Sequence, residues 1–129
     1  MVNDKDALCL DGTPGVYYLY KGKNPNKFII YFEGGAWCGD KDLSSTTENC
    51  YQRSKGDLGS SKAYPDNYII NDGIMSDNPK NSFADYTKAH FKYCDGSGHQ
   101  GTRSNPITYK DAKLYFRGSN LTISKLDDL

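Results

Sequence analysis

The residues that offer chemistry without side chains are Gly34, Gly35 and Ala36, set in the stretch FIIYFEGGAWC from Phe28 to Cys38. A strand that runs into consecutive small residues lets backbone N–H groups face a common point, which is how an oxyanion hole is built. The N–H groups of Gly35 and Ala36 are the candidate donors. In an acyl-transfer enzyme, losing one such donor costs about 3 kcal/mol of transition-state stabilisation. The same glycine pair fits a tight turn after a strand, which is an ordinary use of glycine. Trp37, the only tryptophan, offers a face for a sugar or a pocket wall, and equally a packing surface. Glu33 receives no catalytic role, because a carboxylate at a strand end is usually solvated or bound to loop amides.

Four cysteines, Cys9, Cys38, Cys50 and Cys94, form an even set without a C-x-x-C pair, the pattern of a disulfide framework rather than a metal site. Cys38, Cys50, Cys94, His90 and His99 lack zinc-ligand spacing, so neither a metal nor a cofactor is expected. Four cysteines permit three pairings, and the sequence alone leaves them open. Asn120-Leu121-Thr122 is a glycosylation sequon, compatible with a secretory route. Lys plus Arg equals Asp plus Glu at 16 each, with no basic run, which excludes a nucleic-acid footprint and a polybasic membrane patch. The longest apolar stretch, Phe28 to Phe32, is far too short to span a bilayer. The N-terminus, MVNDKDALC, lacks the apolar region of a signal peptide. With the cysteine framework, this points to a secreted protein whose leader is not in this chain.

These residues need elements to hold them. A chain of 129 residues has room for one domain and buries roughly two-thirds of its unfolded surface. Val16 to Gly22 is rich in strand formers, Asn24 to Lys27 reads as a turn, and Phe28 to Phe32 follows, giving a hairpin that feeds a buried strand. That run is apolar without alternation, as in a mostly parallel sheet with helices on either side, so the class is α/β. Ser45 and Glu48 stand at capping-box spacing, which predicts a helix from about Thr46 to Lys55 stopped by Gly56. Ala89 to Gly96 alternates apolar and polar residues and reads as a second strand ending in a loop. Lys62 to Lys88, with Pro65, Asp72-Gly73 and Asn78-Pro79, reads as connection. A last helix begins at about Ser119 or Asn120 and reaches Leu129 without a stop signal, as expected of a chain that continues.

Together, CLDGTPGVYYLYKG, IIYFEGGAWC, CYQR, LGSSK, GIMS, YCDGS and LYFRG resemble, in order and spacing, the pectin acetylesterase / Notum family from about Leu8 to Leu129. The resemblance implies an α/β-hydrolase fold, of which residues 1–129 form the N-terminal portion of a single domain with an incomplete sheet. It implies carboxylic ester hydrolysis by a Ser-Asp-His triad, plant members of the family removing acetyl groups from pectin. Gly35 and Ala36 then match the oxyanion segment, Ala36 standing where plant members carry a third glycine, and Trp37 lies at the mouth of the substrate pocket. The implied disulfides are Cys9–Cys94 and Cys38–Cys50. The nucleophile belongs in a G-x-S-x-G elbow beyond Leu129. Gly59-Ser60-Ser61-Lys62-Ala63 lacks the strand an elbow needs, and His90 and His99 do not match the catalytic histidine and read as surface or packing residues. The implied partner is an acetylated polysaccharide or another acyl ester, met by a protein that is monomeric at full length. The alternative is a non-catalytic, disulfide-bonded carbohydrate-binding or interaction domain, for which eleven tyrosines and one tryptophan supply sugar-stacking faces. An unpaired apolar edge strand predicts that the 129-residue chain alone self-associates.

Overall fold

The computed structural model describes residues 1–129. Along the chain run β1 (Tyr17–Tyr20), β2 (Asn24–Phe32), α1 (Leu43–Arg53), a 3-10 turn (Gly73–Met75), β3 (Tyr86–Phe91), β4 (Ile107–Tyr109), β5 (Ala112–Leu114) and α2 (Gly118–Asp128). They fall into two compact units, one made of Tyr17–Glu33 and Pro65–Lys92, the other of Met1–Val16, Gly34–Tyr64 and Tyr93–Leu129.

The first unit is a three-stranded sheet ordered β1-β3-β2, with β2 parallel and β1 antiparallel to β3. The expected β1–β2 hairpin does not form. The Gly22 N–H donates to the Thr87 hydroxyl and the Asn24 N–H to the Asp85 carbonyl, so the chain leaving β1 is drawn along the start of β3. Residues 24–27, expected as a turn, therefore extend β2, and the register shifts between Asn24 and Phe28 to absorb them. The β3 strand starts earlier than its alternation suggests and is buried from Thr87 through Phe91, because it has a neighbour on each side. Even Lys88 is buried, its Nζ donating to the carbonyls of Ser76 and Ala84 at 3.2 Å each. The β2 strand is less covered than its composition implies: Phe28 is 41 % and Phe32 42 % exposed, with Ile30 and Tyr31 exposed as well. An edge strand has only one neighbour.

The second unit is centred on Leu10, Cys38, Cys50, Tyr51 and Leu114, with Ile107, Tyr109, Ala112 and Phe116 packed around them. The α1 helix begins at Leu43, not at Thr46. Asp42 is its N-cap: the carboxylate accepts from the Ser45 N–H at 2.8 Å, and the Ser45 hydroxyl receives the Asp42 N–H at 3.3 Å. An aspartate upstream thus takes the cap from Ser45. Glu48 instead binds Gln52, Tyr109 and Lys110. The β4–β5 hairpin turns through Lys110, a non-glycine residue in the left-handed region with φ of 52°, so the usual Asn-Gly or Asp-Gly signal is missing from its sequence. The α2 helix starts at Gly118, one or two residues before the predicted position. No helix is long and apolar enough to cross a membrane.

Candidate active site

Gly35, Ala36 and Trp37 lie in the second unit, on the loop between β2 and α1. At Gly35 a side chain is excluded, because a Cβ there would stand 2.6 Å from the Tyr93 ring and 2.9 Å from Leu58. Ala36 adopts φ of 59°, the left-handed region where a Cβ costs about 1–2 kcal/mol, so the surroundings must enforce it. They do so through carbonyls. Arg53 Nη1 donates to the carbonyls of Gly35 and Ala36, both at 2.8 Å, and the Tyr93 hydroxyl donates to the Ala36 carbonyl at 2.9 Å. The N–H groups of Gly35 and Ala36 make no hydrogen bond within the chain. The carbonyls of Gly35 and Ala36 are thus engaged while the N–H groups of the same two residues are not, and unengaged backbone donors are the groups an oxyanion hole requires.

Cys38 is bonded to Cys50 across 12 residues of sequence, and Cys9 to Cys94 across 85, the pairing that the family resemblance implies. The first bridge ties the loop to α1; the second ties the N-terminal segment to the residue after Tyr93. Cys50 and Arg53 are three apart on α1 and so share a face, which is why one helix delivers both the bridge and the guanidinium to the same loop.

A second loop, Asp95 to Gly101, packs beside the first. Asp95 is fully buried and accepts from the N–H groups of Ser97 and His99, each at 3.1 Å, and from the Ser97 hydroxyl. The Gly96 carbonyl accepts from the Cys38 N–H at 2.9 Å, and the Gly98 N–H donates to the Tyr93 hydroxyl at 2.9 Å. Burial pushes the Tyr93 phenol above its ordinary range, so it stays a donor at neutral pH. Gly98 has φ of 64° and lies under Trp37, whose Nε1 would be 2.3 Å from a Cβ at that position. Trp37 is itself 68 % exposed, an open aromatic face next to the donor loop. Ser97, His99 and Asp95 share this loop, but the serine hydroxyl donates directly to the aspartate, with no histidine between them, and the His99 ring lies tilted against Tyr93 with centroids 4.8 Å apart.

The other residues weighed from sequence lie elsewhere. Ser60 and Ser61 are buried; the Ser61 hydroxyl donates to the Pro14 carbonyl at 2.7 Å and that of Ser60 accepts from the Lys62 N–H at 3.2 Å. His90 is buried in the sheet unit with Nε2 at 2.7 Å from the Glu33 carboxylate, which Lys92 also approaches at 2.7 Å. Burial raises the Glu33 carboxyl, but the hydrogen bonds from His90 and Lys92 outweigh it and leave the group below its ordinary range. Glu33 therefore serves the sheet as an ionic anchor. Asn120 is half-buried in the first turn of α2, and the Thr122 hydroxyl of its sequon donates to the His99 carbonyl at 3.1 Å. Sequence reasoning passed over Arg53 and Tyr93, although both lie in motifs that carry the resemblance, CYQR and YCDG.

Comparison with known proteins decides the family. The Pectinacetylesterase family matches residues 1–129, the whole chain. Pectin acetylesterase 11 of Arabidopsis thaliana is 34 % identical over 97 % of this chain. The chain belongs to the pectin acetylesterase family. Palmitoleoyl-protein carboxylesterase notum1' of Xenopus laevis is 32 % identical over 61 % of the chain. The crystal structure of the Wnt deacylase Notum from Drosophila superposes with a TM-score of 0.83 at 23 % identity, covering 99 % of this chain and 36 % of Notum. That likeness gives the fold: a partial α/β-hydrolase arrangement, of which the parallel β2–β3 pair is part. The chain spans about a third of the length of the Arabidopsis pectin acetylesterases it matches, 31 % in the case of pectin acetylesterase 11.

Proposed function

We propose that this chain forms the N-terminal portion of a secreted carboxylic ester hydrolase of the pectin acetylesterase type, which removes O-acetyl groups from polysaccharide by serine acyl transfer. The observation that carries the reading is the asymmetry of the Gly35–Ala36 loop, with carbonyls held by Arg53 and Tyr93 and N–H groups unengaged. In this mechanism a serine outside these 129 residues attacks the ester carbonyl and a histidine carries its proton. The tetrahedral oxyanion is received by the N–H groups of Gly35 and Ala36, and the exposed Trp37 face receives the sugar next to the scissile ester. Two disulfides suit an oxidising, extracellular setting. The acetyl preference is taken from the names of the relatives matched over nearly the whole chain.

The test is an assay of the natural gene product against acetylated pectin and against p-nitrophenyl esters of increasing chain length. Release of acetate from pectin, with the two-carbon ester preferred, is expected. A second reading, a non-catalytic carbohydrate-binding domain on the same fold, draws on the exposed Trp37 and on one relative in Danio rerio named as an inactive palmitoleoyl-protein carboxylesterase. Saturable pectin binding with no hydrolysis of any ester would replace the first reading by the second.

A further inference from the structure

We infer that Arg53 and Tyr93 are positioning residues for the oxyanion donors, and that the peptide units they hold bring the Trp37 N–H into the donor set beside that of Ala36. The inference rests on the reading of this loop as an oxyanion site. A trans peptide is planar, so the C=O of one residue and the N–H of the next point in opposite directions. Arg53 Nη1, 2.8 Å from the Gly35 carbonyl oxygen, therefore turns the Ala36 N–H away from the guanidinium. The same nitrogen holds the Ala36 carbonyl at 2.8 Å, with the Tyr93 hydroxyl at 2.9 Å, and this turns the Trp37 N–H away in the same manner. No hydrogen bond within the chain engages either N–H. Between them sits Ala36 at φ of 59°, and successive amides around a left-handed residue form a concavity suited to an anion.

An alanine does not stay in that region unaided. What enforces it is a frame with two sides. Arg53 is set by α1, whose Cys50, on the same face, is bonded to Cys38 of the same loop. Tyr93 is 1 % exposed; its hydroxyl also receives the Gly98 N–H at 2.9 Å, and its ring fills the space where Gly35 has no side chain. The phenol thus couples the loop carrying the donors to the loop that supports Trp37.

The test compares the natural gene product with its Tyr93→Phe, Arg53→Gln and Arg53→Lys variants. The number of active sites is titrated with a phosphonate ester, and kcat for p-nitrophenyl acetate is expressed per titrated site. For Tyr93→Phe and Arg53→Gln, kcat per site is expected to fall ten- to hundredfold with KM within about twofold, and Arg53→Lys, which still donates, should recover part of the loss. A merely structural role would lower melting temperature and titratable sites but leave kcat per site unchanged, and that result overturns the inference. Backbone 15N relaxation gives a readout independent of activity. The order parameters of the Ala36 and Trp37 amides should fall from about 0.85 in the parent to below about 0.6 in Tyr93→Phe, with β3 unchanged. Unchanged order at both amides overturns the inference in active or inactive protein alike. An inactive parent whose variants loosen at these amides would instead uphold the positioning role and overturn the esterase reading. Tyr93→Phe keeps the buried ring, so the test survives if Arg53→Gln does not fold.

Discussion

The unit that carries Gly35 and Ala36 and the unit that carries the sheet reach order by different means. The loop-bearing unit holds both disulfides, a buried cluster around Leu10 and Tyr51, and a donor loop whose carbonyls are bound by Arg53 and Tyr93. The sheet unit has no disulfide; it relies on strand pairing and on the Glu33 carboxylate, held by Lys92 and by the His90 ring. Its β2 strand keeps Phe28, Ile30, Tyr31 and Phe32 exposed. The loop that would do chemistry is therefore constrained entirely by residues in this chain, whereas the strand that leads into it presents apolar surface that this chain does not bury.

Breaking the covalent side of that contrast should have the largest effect. Replacing Cys9 and Cys94 by serine opens an 85-residue separation and should cost about 4.5 kcal/mol on the chain-entropy account. The 12-residue Cys38–Cys50 bridge should cost about 3 kcal/mol. Urea unfolding of the oxidised parent and of each serine pair measures both. A loss below about 1 kcal/mol for Cys38–Cys50 would mean that hydrogen bonds alone hold the donor loop. Gly35→Ala comes next. Its Cβ would stand 2.6 Å from the Tyr93 ring, and overpacking of this kind costs about 1–3 kcal/mol, read as a lower melting temperature. Ala36→Gly acts in the opposite direction, relieving the left-handed strain at φ of 59° for a gain of about 0.5–1 kcal/mol after the greater chain entropy of glycine is set against it.

The sheet unit answers to a different measurement. Ile30→Lys changes an exposed side chain and should alter stability by no more than about 0.5 kcal/mol. It should nevertheless reduce the self-association of the 129-residue chain in sedimentation velocity, because charge on an edge strand blocks pairing between copies. A chain that is already monomeric and melts cooperatively would show that the exposed β2 surface is harmless. The smallest effect lies back in the unit that carries the Gly35–Ala36 loop. Hydrogen bonds from Tyr109, then Gln52 and Lys110, lower the Glu48 carboxyl from 4.5 to about 2. The group therefore adds stability that is fully present above pH 4.5 and is lost as the pH falls towards about 2. Glu48 is solvent-facing, so the effect is modest and screened by salt. Melting curves of Glu48→Gln should show a shallower decline across that acid range than the parent.

Local residue types pointed to the Gly34–Ala36 loop and left its support by Arg53 and Tyr93 hidden, for a physical reason. A strand ending in Gly34-Gly35-Ala36 announces exposed amides through local residue types alone. The hands that turn those amides, Arg53 and Tyr93, are 17 and 57 residues from Ala36, and no local pattern reports such a contact. The resemblance supplied the disulfide pairing, which spacing had left open among three choices. Sheet order escaped for the same reason as Arg53. The partner of both β1 and β2 is β3, far along the chain, so neighbouring strands were read as a hairpin. The α1 start was missed by three residues because two capping patterns, Asp42–Ser45 and Ser45–Glu48, overlap, and the better acceptor won. Lys88 and His90 showed that alternation fails as a burial signal in a central strand whose polar side chains find partners inside.

The central claim is that the loop at Gly35 and Ala36 receives an oxyanion. The most direct measurement is a crystal structure of the natural gene product inactivated by a phosphonate ester, whose tetrahedral phosphorus mimics the acyl-transfer intermediate. The account predicts a phosphonyl oxygen about 2.7–3.1 Å from the amide nitrogens of this loop, with the carbonyls of Gly35 and Ala36 still on Arg53 and Tyr93. A phosphonyl oxygen bound to other donors, or a protein that the reagent does not label, would contradict it.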